Sequence, residues 1–129
     1  MKITKKEASF SQIIAAIVHY ESGELDCAIT LAAAAEGMLS SYDKRYLFDQ
    51  LLDLAKTAKI DLNQVINWLK HSGDPDSIDI REFEAAIAIA RAITKFIAAY
   101  SQSTVQFENF LRHAHESGIL PVRLYPISN

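Results

Sequence analysis

The side chains of this sequence best placed to do chemistry are a carboxylate, Glu36, and a polar trio, Asn67, Lys70 and His71. Glu36 stands inside ELDCAITLAAAAEGML, residues 24–39, where the helical apolar pattern calls for a core residue. An unpaired buried carboxylate costs several kcal/mol, so such a group either accepts hydrogen bonds or takes up a proton. Two readings stay open. In one, the alanines pack helices tightly and Glu36 sits at the edge of the apolar stripe. In the other, Glu36 accepts hydrogen bonds in a pocket or at a subunit interface, with Arg91, Lys95 or a histidine as its partner.

The trio belongs to Asn67-Trp68-Leu69-Lys70-His71, which is echoed by Asn109-Phe110-Leu111-Arg112-His113, each with a glutamine three residues upstream, Gln64 and Gln106. Both segments fall near the ends of expected helices, where Lys, Arg and His complement the negative end of the helix dipole. Histidine at such a place also serves as a general base or a ligand. Metal chemistry lacks its spacing, because neither Glu-x-x-His nor His-Glu-x-x-His occurs at His19, His71, His113 or His115. The four glycines are isolated, so no phosphate-cradling loop forms, and no G-x-S-x-G offers a serine nucleophile. Cys27 reads as an inert thiol in an apolar helix. Neither a catalytic constellation nor a cofactor or metal is therefore expected.

The elements that must position these groups are helical. Periodicity predicts a first helix from about residue 5 or 9 to 22, with Ser9 or Ser11 as its N-cap, and Gly23 punctuating the turn into a second over 24–40. In the second helix Leu25, Ala28, Ala32, Ala35 and Leu39 form the apolar stripe, and Asp26, Thr30, Ala33 and Gly37 form a second, small-residue face. A third helix is expected at about 45–58, and a fourth from the N-cap Asp61 to His71, followed by a loop at 72–77. The most hydrophobic helix spans about 80–100; there Glu84, Arg91 and Lys95 fall in a wedge of about 40° at 100° per residue. A sixth, at about 103–116, turns Phe107, Phe110, Leu111 and Ala114 inward and stops at Gly118. Pro121 and Pro126 keep the apolar tail out of helix, so it is expected to lie extended across the bundle or a partner subunit. The fold class is all-α: one domain over residues 1–129, a bundle of about six helices around the central one at 80–100.

Composition agrees. The 129 residues are half hydrophobic and 22% charged, in the range of ordinary globular domains. A net charge of −3 with scattered basic residues offers nucleic acid no general attraction. Charges at Glu84, Arg91 and Lys95 interrupt the longest apolar stretch, so no membrane span is expected, and the short apolar run after Lys2, Lys5 and Lys6 reads as the first helix rather than a signal peptide. One cysteine suits a cytoplasmic, reducing compartment.

The pattern A-I-x-L-A-x-A-A-E from Ala28 to Glu36, with Asn67-Trp68-Leu69-Lys70-His71 before a Gly-Asp-Pro-Asp loop, resembles a group of short, functionally uncharacterised bacterial helical proteins over about residues 9–100. More remotely, the Asn-x-x-x-His pair is similar to the HEPN superfamily, whose active members are RNases and often dimerise. That resemblance carries Asn67 and His71 onto the motif Arg-Asn-x-x-x-His, but Ile66 occupies the arginine position, as Glu108 does before Asn109 and His113. It therefore implies a non-catalytic relative lacking the group that stabilises phosphate charge. The expected protein is a non-catalytic interaction or regulatory module that self-associates as a dimer; the alternative is a HEPN-like RNA- or nucleotide-binding domain, catalytically inactive, using Asn67, Lys70 and His71.

Overall fold

The computed structural model describes residues 1–39, Asp53, Lys56, residues 61–121, Arg123 and Leu124. Their regular structure is all helical: α1 (Lys5–Glu21), α2 (Leu25–Gly37), α3 (Leu62–Lys70), α4 (Glu82–Tyr100) and α5 (Val105–Glu116). Five helices thus stand among the described residues where about six are expected. The helix expected at 45–58 lies outside them, except for Asp53 and Lys56, both helical.

The start of α1 corrects one expectation. Its N-cap is Thr4 rather than Ser9 or Ser11. The Thr4 hydroxyl accepts from the Glu7 backbone N–H at 3.1 Å, and the Glu7 carboxylate accepts from the Thr4 N–H at 3.1 Å. This reciprocal pairing is the capping box that Thr-x-x-Glu encodes, and it satisfies two donors that a helix start otherwise leaves bare. The hydrogen bonds from Thr4 hold the Glu7 carboxyl below its ordinary value. Ser9 is instead buried one turn in, its hydroxyl donating to the Lys6 carbonyl at 3.2 Å. Gly23, at φ 79°, supplies the left-handed residue that reverses the chain into α2.

In α2 the alanine stripe becomes a contact surface: Ala28, Ala32 and Ala35 are fully buried, and the helix packs on α1 and α4. The expected second close-packing face does not form among the described residues. Asp26, Thr30 and Gly37 are exposed, and a Cβ at Gly37 would meet nothing within 4 Å; only Ala33 is buried there.

Asp61 caps α3, its carboxylate accepting from the Gln64 N–H at 3.1 Å, and Leu62 and Val65 carry that helix into the core. α4 packs against α1, α2 and α5 and buries most of its length. Its first turn is fastened by the Glu84 carboxylate, which accepts from the Arg81 N–H at 2.7 Å with Arg81 Nε 3.6 Å away. α5 starts at Thr104, whose hydroxyl accepts from the Phe107 N–H, and turns Phe107, Phe110, Leu111 and Ala114 inward as the periodicity predicts. Phe107 and Phe10 close on Phe96 with ring centroids 5.5 and 6.3 Å away, tying α1, α4 and α5 together. Beyond α5, Leu120 and Leu124 are buried, and Leu120 is fixed by its N–H to the Ala114 carbonyl and by the His115 Nδ1–H to its own carbonyl at 3.0 Å. No described helix is long and apolar enough to cross a membrane.

Candidate functional site

Helical periodicity turns the Glu36 side chain from α2 toward the charged edge of α4. There its carboxylate lies 2.9 Å from Arg91 Nη2 and 3.4 Å from Lys95 Nζ. The three side chains retain only 10%, 12% and 19% of their exposure for Glu36, Arg91 and Lys95. Arg91 and Lys95 are four apart and so share one face of α4, which lets both reach a single carboxylate. Thus the odd carboxylate of the alanine-rich helix is neutralised within the fold. A carboxylate so engaged spends its acceptor capacity on two cations of its own fold.

The Asn67 and His71 positions are different in kind. Gln64, Asn67, Trp68 and His71 stand at i, i+3, i+4 and i+7, one face of α3 and its C-cap. That face opens on a cleft of about 490 Å³, whose other wall is the loop carrying Asp74 and Pro75. Trp68 is half-buried and its indole N–H donates to the Pro75 carbonyl at 2.6 Å, which fixes the ring as part of the cleft. Lys70 is exposed and does not line it. The structure therefore brings Asn67 and His71 together, leaves Lys70 outside, and keeps Glu36 at the separate α2–α4 seam.

The echoed segment behaves alike. Gln106, Asn109, Phe110 and His113 stand at the same spacing on α5 and line a second cleft, of about 500 Å³, with Tyr20 of α1 and Glu82 of α4. The Tyr20 hydroxyl donates to Glu82 Oε1 at 2.9 Å, and its ring meets Phe110 edge-on at 5.3 Å. Burial, and then this hydrogen bond to a carboxylate, raise the Tyr20 phenol well above its ordinary value. The helical echo of the two segments was legible; the participation of Tyr20 and Glu82, 62 residues apart, was not.

The remaining candidates resolve simply. His19 donates from Nδ1 to Glu24 at 2.8 Å across the α1–α2 turn, and His115 is taken up by the Leu120 carbonyl. Cys27 is half-buried, and burial, reinforced by Asp26 and Glu24, raises its thiol, which favours the unreactive protonated form. Among the described residues, no three of His, Cys, Asp and Glu gather to hold a metal ion. No family model, curated protein or solved structure matches this chain.

Proposed function

We propose that this chain is a non-catalytic interaction module that self-associates, and that it recognises a protein partner through the α3 cleft. The observation that carries the reading is the alignment of Gln64, Asn67, Trp68 and His71 in one open cleft. Amide side chains both donate and accept, so a pair of them matches the alternating N–H and C=O of an extended peptide, while a fixed indole offers apolar area at little entropic cost. The Glu36 ion network supports the same reading, since it commits the most unusual carboxylate to holding α2 against α4. For self-association, the outer edge of α2 presents small or short residues, Asp26, Thr30, Ala34 and Gly37, all exposed and able to admit a second helix closely.

The second reading is a HEPN-like RNA- or nucleotide-binding domain without catalysis. It is favoured by Trp68 sharing the cleft with Asn67 and His71, because a fixed aromatic face stacks bases. Against it, Lys70 stays outside and Asp74 lines the cleft, opposing phosphate.

One experiment separates them. The tagged chain is purified from its native cell, and its mass in solution and co-purifying molecules are measured beside an Asn67→Ala/Trp68→Ala variant. Recovery of a defined protein that the variant loses, on a dimeric background, supports the first reading. Recovery of RNA or nucleotide without protein, lost with His71→Ala, overturns it in favour of the second.

A further inference from the structure

The α5 cleft carries a charge pattern that the α3 cleft lacks. Two helix ends open on it: Ile17, Tyr20 and Glu21 belong to the last turns of α1, and Asn109, His113 and Ser117 to the final turns and C-cap of α5. Each helix C-terminus acts as a partial negative charge, on the order of −0.5. Two carboxylates, Glu21 and Glu82, join them.

Their situations differ. Glu82 lies in the first turn of α4, where its charge offsets that helix's positive end, and it accepts from Tyr20. Glu21 is the last residue of α1, so its charge sits at the negative end of its own helix, the unfavourable placement. Among the described residues no cation pairs with it, and it is exposed on the cleft wall. Arg112 is on the flank, donating to Asn109 at 3.3 Å, and does not line the cleft. The floor is aromatic, with Tyr20 and Phe110 packed edge to face.

We infer that this cleft is a binding site for an organic cation, an alkylammonium or guanidinium group. Negative potential from two helix ends and Glu21 attracts the charge, Tyr20 and the buried Phe110 give the alkyl stem an apolar floor, and the Gln106 amide oxygen offers an acceptor. Asn109 Oδ1 is already engaged by Arg112, and His113 is the one basic side chain in the described lining. An inorganic divalent ion fits poorly, because Glu21 and Glu82 are the only carboxylates in the described lining and Glu82 already accepts from Tyr20. This inference is independent of the partner assigned to the α3 cleft. It also accounts for a carboxylate placed where helix electrostatics disfavours it.

The test is an amide-resolved NMR titration of the full chain with spermidine, with an N-acetylated glycine-serine peptide carrying one arginine, and with magnesium chloride. Saturable shifts at Tyr20, Asn109 and Phe110 with spermidine identify a free polyamine as the ligand; stronger binding of the peptide identifies a basic side chain of a protein. Either supports the site. Loss of one carboxylate near the surface weakens binding by about fivefold, so Glu21→Gln should raise the dissociation constant by about that factor. Glu21→Lys should abolish the shifts while the circular dichroism and melting temperature show a fold at least as stable. Absence of saturable shifts, equal response to magnesium, or undiminished binding by Glu21→Lys would overturn the inference.

Discussion

Glu36 and Glu21 are carboxylates on consecutive helices, and they are used in opposite ways. Glu36 is 8% exposed and meets two cations from α4, Arg91 at 2.9 Å and Lys95 at 3.4 Å. Glu21 is exposed on a cleft wall, against its helix dipole, with no cation paired with it among the described residues. In the seam, charge is compensated internally and serves to register α2 on α4. At the cleft, charge is left uncompensated, so its field extends to whatever enters. The difference teaches that the conspicuous acid of an apolar helix can be structural, while an inconspicuous one at a helix end keeps its charge open to a cleft.

The comparison breaks most violently at Glu36. Glu36→Leu leaves Arg91 and Lys95 facing an apolar side chain, and removing one partner of a buried ion pair costs about 3–5 kcal/mol. Because the cations keep 12% and 19% of their exposure, a loss of about 3 kcal/mol is expected in urea unfolding. A loss below about 1 kcal/mol would show that the seam is held by its alanines alone. The triple change Glu36→Leu/Arg91→Met/Lys95→Met sharpens the point: removing the cations together with the carboxylate should return part of the lost stability, since joint apolar replacement of charged partners costs less than removal of one of them.

A smaller effect is expected at Tyr20, which couples α1 to α4 through Glu82. Tyr20→Phe removes one exposed hydrogen bond to a carboxylate, for a loss of at most about 1 kcal/mol at neutral pH. Its pH dependence has a definite sign. The phenol proton is held more tightly in the folded chain than in the unfolded one, because burial and Glu82 both disfavour the phenolate. The corresponding stability is intact below the ordinary value of 10.0 and falls as pH rises above it. Unfolding free energies measured between pH 8 and 11 should therefore decline more steeply for the parent than for Tyr20→Phe.

Much of this was legible in the sequence, and the boundary is physical. Local signals were readable: Asp61 as a cap, Gly23 and Gly118 as helix stops, the inward set Phe107, Phe110, Leu111 and Ala114, and the shared spacing of Gln64, Asn67, Trp68 and His71 with its echo on α5. Thr4-x-x-Glu7 was equally local, yet serine at 9 or 11 competed for the same role, and burial of Ser9 decided against it. The small-residue face of α2 illustrates a different limit. Small side chains permit close approach without requiring it, and on the described residues only the Ala28–Ala32–Ala35 stripe is used. That Glu36 meets Arg91, 55 residues away, was one of several open pairings, because periodicity gives the face of a helix and not its rotation against a neighbour. The Tyr20–Glu82 contact had no sequence signal at all. Tyrosine and glutamate in separate helices carry no spacing that links them.

The smallest effect tests the comparison at its finest. Glu21→Lys replaces a charge that opposes the α1 dipole with one that complements it, and such a change at an exposed last-turn position stabilises by about 0.3–1 kcal/mol in low salt. Thermal unfolding at low ionic strength should show the variant slightly more stable than the parent, with the gain shrinking as salt screens the dipole. A residue whose replacement improves folding is not explained by folding. If the same variant loses affinity for an organic cation, Glu21 is held at a helix end because recognition needs negative charge there. If stability does not rise, the helix-end placement imposes no cost, and the contrast with Glu36 reduces to exposure alone.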